Sequence, residues 1–119
     1  MVVFYRVVTR QAWQRAQRSG YLLPSAEERQ AGWVQVNCPE DLSLVARRDC
    51  RPEQQPLALE LDLAGQEGRL RWLDPSPARP WQQPVLKVAR LELAWVRSVH
   101  PLMAEARGAR YRLGSAEPV

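Results

Sequence analysis

The sequence predicts one α+β domain with a curved, largely antiparallel sheet and two helices near its N-terminus. Helix-like and strand-like patterns run β-α-β-α as far as Arg48, and from Leu57 onward mainly strand patterns follow. Early helices and late strands are the order of an α+β domain. The size agrees with this. At 119 residues, 45% hydrophobic and 25% charged, the chain is long enough for one core without disulfide or metal staples, and typical of one domain.

Val2 to Val8 reads as a strand, with Val3, Tyr5 and Val7 on one face and Phe4, Arg6 and Val8 on the other. Thr9 is placed to cap a helix from Arg10 to Arg18, whose apolar stripe is Ala12, Trp13 and Ala16, and Gly20 suits its end. Tyr21 to Ala31 reads as a loop with one helical turn at Ser25 to Gln30. "GWVQVN", Gly32 to Asn37, is the second strand, with Val34 and Val36 on one face and Trp33, Gln35 and Asn37 on the other. Asn37 stands three residues before Glu40 and reads as the N-cap of a helix from Cys38 to Arg48, with Leu42, Val45 and Ala46 facing the core.

"LALELDL" alternates, with Leu57, Leu59, Leu61 and Leu63 inward and Ala58, Glu60 and Asp62 outward. "GQEG" turns the chain into a strand from Arg69 to Leu73. Asp74 to Pro84 is a proline-rich loop, and Val85 to Val88 and Leu91 to Val99 are the last strands. Residues 1–100 form the domain on this reading. Residues 101–119 are a loosely ordered C-terminal tail, partly helical around Leu102 to Arg107.

Composition excludes several function classes. No apolar run approaches bilayer length, and Arg6 interrupts the short apolar start, so a cytoplasmic protein without a membrane partner is expected. Cys38 and Cys50 match no zinc or redox spacing, and His100 is the single histidine, so no metal cluster can be assembled from His and Cys. A thiol at a helix start can be reactive, but a quiet, partly buried thiol is the expectation for Cys38. "GQEG" is neither a P-loop nor G-x-G-x-x-G. The net charge of +4 and pI of 9.7 raise nucleic-acid binding. Against it, every basic residue but Lys87 is Arg, the arginines are scattered, and the chain has no Ile, a bias that reads as a GC-rich genome.

"FYRVVTRQAWQRAQRSGYL", "GWVQVNCPEDLSLVARR", "LALELDLAGQEGRLRW" and "LAWVRSV" together resemble the bacterial domain-of-unknown-function family 952 over Val2 to Val99. The resemblance implies the compact fold of ADP-ribosyltransferases, enzymes that split NAD at the nicotinamide–ribose bond, and so NAD or an ADP-ribose-like ligand. Where the family pattern has Gly-Phe-Ile-His-x-Ser, this chain carries Gln35 in the His position and Asn37 in the Ser position. Where it has Arg-Trp-Glu, Arg71 and Trp72 match, but Leu73 replaces Glu and Asp74 follows. In the late Phe-Pro-His-Leu-Tyr-Gly motif, Trp81 holds the first position and Gln83 the position of a second His.

Cleaving a glycosidic C–N bond builds positive charge on the ribose, which a carboxylate normally stabilises. Glutamine can hydrogen-bond like an imidazole but exchanges no proton near neutral pH. The expectation is therefore a catalytically degenerate relative that binds a partner protein or a nucleotide-like small molecule. Gln35, Trp33, Gln83, Trp81 and Tyr5 are its candidate ligand contacts. The alternative is an active NAD-dependent transferase or hydrolase with a rebuilt site, using Asp74, Glu92 or Arg71. Plainer roles stand beside these: Asp74 as a turn former before Pro75, Gln35 as an internally satisfied amide, and Arg71 with Glu60, Asp62 and Arg69 as a solvated sheet face.

Overall fold

The computed structural model describes residues 3–105 and 110–117. Strand β1 (Phe4–Val8) leads into helix α1 (Arg10–Ser19). Thr9 caps that helix by accepting from the Ala12 N–H at 3.1 Å. Gly20 ends it at φ 88°, a left-handed conformation that costs glycine little. Next come β2 (Tyr21–Leu22), α2 (Ala26–Ala31) and β3 (Val34–Gln35). Helix α3 (Leu42–Asp49) precedes strands β4 (Leu57–Leu61), β5 (Leu70–Leu73), β6 (Gln83–Leu86), β7 (Leu91–Glu92), β8 (Val96–Ala104) and β9 (Tyr111–Leu113).

Every strand pairing among the described residues is antiparallel. One sheet runs β1-β4-β8-β9, a second β3-β6-β5, and β2 pairs with β7. Tyr5 and Asn37 exchange backbone hydrogen bonds of 2.8 and 2.6 Å, which ties the free edge of β1 to the chain just beyond β3. The sheets curl around a core of Phe4, Trp13, Val34, Val36, Leu57, Leu59 and Leu86. No helix of the described residues is long and apolar enough to cross a membrane.

Several expectations need correction. The described residues form three α-helices, because the turn expected at Ser25 closes into α2 through a capping box. Helix α3 starts at Leu42, after a 3₁₀ turn over Pro39–Asp41. Asn37 therefore caps nothing: its backbone is locked in a rung with Tyr5, and its Oδ1 has no partner among the described residues. Ala58 is fully buried rather than outward, because Tyr5, Leu42, Ala46, Leu102 and Tyr111 form a second cluster with it on the other face of β4.

The largest correction concerns the C-terminal segment. Far from being a loose tail, β8 runs on through Pro101 to Ala104 and pairs with β9, and the Glu117 N–H donates to the Val99 carbonyl at 2.7 Å. Leu102 and Tyr111 anchor this hairpin by burial, and the His100 ring meets the Gly114 carbonyl through Nδ1 at 3.0 Å. The helix expected over Leu102 to Arg107 is strand as far as Ala104, and residues 106–109 lie outside the described residues.

Candidate functional site

Strands β1 and β3 begin as neighbours and then part. Alternation along β3 turns the backbone N–H and C=O of Val34 and Val36 toward β6, and those of Gln35 and Asn37 toward β1. Asn37 meets Tyr5 directly. One rung further on, two side chains stand where β1 backbone would be. The Gln35 N–H donates to Glu28 Oε2 at 2.6 Å, and the Gln35 carbonyl accepts from the Arg6 guanidinium at 2.8 Å. Arg6 in turn grips Glu28 with two bonds of 2.7 Å, and the Ser25 N–H donates to the same carboxylate at 2.9 Å. An ion pair thus replaces a ladder rung and wedges the strands apart.

The Glu28 residue is 4% exposed. Burial pushes its carboxyl upward, but the Arg6 hydrogen bonds and charge, with the Gln35 and Ser25 amides, outweigh this and hold it below the ordinary glutamate value. It stays ionised at neutral pH. The local sequence explains its position. Ser25-Ala26-Glu27-Glu28 spells a capping box, and Gly32 at φ 80° ends α2 and swings the chain into β3.

The parting leaves an open cleft of about 620 Å³, within the usual range for small-ligand sites. Trp33, Gln35 and Asn37 line it from β3 and its flanks, as the strand alternation predicts, with Val34 and Val36 buried behind them. The opposite walls come from Val45, Arg48 and Asp49 of α3 and from Ser76, Ala78 and Arg79 of the proline-rich loop. Gln35 is half-buried, and no group among the described residues hydrogen-bonds its side-chain amide.

The other sequence candidates lie elsewhere. Gln83 is fully buried: its amide donates to the Val36 and Pro84 carbonyls at 2.6 and 2.9 Å and accepts from the Trp81 indole at 3.1 Å. It is an internal staple between β6 and β3. Trp81 is a buttress rather than a lining residue: Arg48 lies over its ring at 5.5 Å, and Arg79 donates to its carbonyl. Tyr5 packs into the second cluster, edge-on to His100.

None of the three residues nominated for a rebuilt catalytic site lines the cleft. Arg71 folds back onto the Gly68 and Leu70 carbonyls, Glu92 pairs with Arg90, and Asp74 is an exposed loop residue whose carbonyl accepts from Arg79. Cys38 is buried, and burial first, then Glu40 and Asp41, pushes its thiol upward, which suits a quiet thiol. No cluster of metal-ligating side chains occurs among the described residues.

The sequence reading missed Glu28 and Arg6. Their signals were present: the capping-box spacing, and a lone arginine sharing a strand face with Phe4 and Val8, where a cation needs a partner.

No protein-family model matches the chain, and no curated protein matches it either. Its backbone is similar to the crystal structure of protein CC0527 from Caulobacter crescentus, with a TM-score of 0.71 at 20% identity over 91% of this chain and 92% of that one. A double mutant of the same Caulobacter protein matches equally well. At this identity the likeness shows the fold alone.

Proposed function

We propose that this chain is a binding protein for a nucleotide-like small molecule, a catalytically degenerate relative of the ADP-ribosyltransferases acting in the bacterial cytoplasm. The observation that carries the reading is the chemistry of the cleft wall. Trp33 puts an aromatic side chain on it and Gln35 a free amide, while the buried carboxylate beside them, Glu28, is tied by four hydrogen bonds into the frame of the fold. A carboxylate held in that way is no proton donor near neutral pH and cannot swing toward a developing charge. The family resemblance of Gln35 to a pocket histidine points to the same wall.

The test is a titration of the purified protein with adenosine, ADP-ribose and NAD, following tryptophan fluorescence and nicotinamide release together. Binding without release is expected, and Trp33→Ala should abolish the fluorescence change. Nicotinamide release that survives purification would make the protein an enzyme. The absence of any binding would remove the nucleotide reading altogether.

A further inference from the structure

The cleft's charges cancel within its own walls. Arg6, Arg48 and Arg79 face Glu27, Glu28 and Asp49, three cations against three carboxylates. Arg6 is paired with Glu28 at 2.7 Å and Arg48 with Asp49 at 2.7 Å. Arg79 makes no ion pair among the described residues, but its guanidinium bonds the Trp81 and Asp74 carbonyls, which point it along its own loop. At the start of α2 the Glu28 N–H is taken up by Ser25 Oγ and the Ser25 N–H by Glu28 Oε1. A pyrophosphate entering here would meet no free cluster of cations and would have Glu27 nearby.

What the wall leaves unsatisfied is one neutral acceptor and one N–H of a guanidinium whose charge Glu28 already balances. Asn37 is 3% exposed and lines the cleft, and its Oδ1 has no hydrogen-bond partner among the described residues. Arg6 Nε, on a second lining residue, is an orphaned donor. A buried orphan acceptor and a buried orphan donor each carry a cost unless something satisfies them. Asn37 has no structural reason to be polar there, since it caps no helix and only its backbone holds β1. A half-turn of its amide about the Cβ–Cγ bond exchanges the two ends and offers either to the cleft.

We propose that the cleft selects an uncharged nucleoside or nucleobase-like heterocycle over dinucleotides, with Asn37 as the residue that reads its hydrogen-bonding edge and Trp33 as the stacking surface. This rests on the nucleotide-like reading above and narrows it to ligands without a pyrophosphate. Asn37 turns its amide to meet the heterocycle's N–H and C=O groups, and Gln35, two residues back on the same face, takes the sugar side.

The experiment is calorimetric titration with adenosine, AMP, ADP-ribose and NAD at about 0.05 and 0.3 M salt, on the wild type and on Asn37→Leu. Adenosine should bind at least as tightly as either diphosphate, with an affinity that salt changes less than about twofold. Asn37→Leu should weaken it about five- to tenfold, the loss of one or two hydrogen bonds, without lowering Tm. If the leucine does not fold, Asn37→Ala gives the same readout with the volume left open. Tighter, steeply salt-dependent binding of ADP-ribose or NAD would overturn this proposal and leave the wider reading standing. Unchanged affinity in both Asn37 variants would also overturn it. No binding by any of the four compounds would overturn both.

Discussion

Gln35 and Gln83 are two glutamines with the same expected role, each nominated from the sequence as a ligand contact, yet the fold puts them to opposite uses. Gln83 sits on β6, the middle strand of its sheet, with β3 on one side and β5 on the other. Its side chain is sealed and fully hydrogen-bonded. Gln35 sits on β3, whose far side faces not a strand but the Arg6–Glu28 pair. Its backbone is held while its side chain is left to the cleft. The difference lies in strand position rather than residue type. A central strand has neighbours to satisfy an amide, and an edge strand held by side chains has space.

The largest effect should come from removing what holds that edge open. Glu28→Ala leaves Arg6 without its counter-charge and the Gln35 and Ser25 amides without an acceptor, so a loss of about 3 kcal/mol is expected in denaturant melts. Acid should act through the same group. The folded protein lowers the Glu28 pKa below the ordinary value of 4.5, so the pair contributes fully above that value. The contribution is lost as pH falls through the lower, folded value. Glu117, paired with Arg10 at 2.7 Å, is lowered too, so the diagnostic quantity is the difference between wild type and Glu28→Gln. That difference should hold steady from neutral to about pH 5 and shrink below it. A difference that does not change with pH would mean the ion pair does not carry the stability.

Gln83→Ala comes next. It leaves the Val36 carbonyl and the Trp81 indole N–H without their partner and opens a small void, for an expected loss of about 2 kcal/mol. Because Trp81 supports Arg48 and carries the carbonyl that holds Arg79, the change should also loosen the cleft wall and weaken ligand binding as a secondary effect. A variant as stable as wild type would show that the staple is dispensable and bring the two glutamines closer in kind.

Legibility in the sequence followed the same division. Helix α1 was readable to within a residue because Thr9 and Gly20 mark its ends with local chemistry. The alternation that sets Trp33, Gln35 and Asn37 on one face was readable because period two is a property of the strand itself. What covers that face was not, since Arg48 and Arg79 stand well beyond Asn37 along the chain, the second of them in a loop on the far side of β4 and β5. Asn37 misled for a related reason: its spacing to Glu40 suits a capping box, but the long-range rung with Tyr5 overrode the local preference. The C-terminal hairpin was missed because Pro101 reads as a break, although β8 accommodates it opposite Leu57.

The smallest expected effect on stability is the most informative one. In Gln35→Ala the backbone keeps both its bonds, to Glu28 and to Arg6, because neither involves the side chain. The lost amide leaves no partner orphaned among the described residues, and alanine's weaker strand preference acts on a strand only two residues long. The melting curve should therefore move by less than about 0.5 kcal/mol while nucleoside affinity falls several-fold. A cost near that of Gln83→Ala would mean the Gln35 amide is bonded inside the protein, and the cleft would then lack the free group on which its binding role depends.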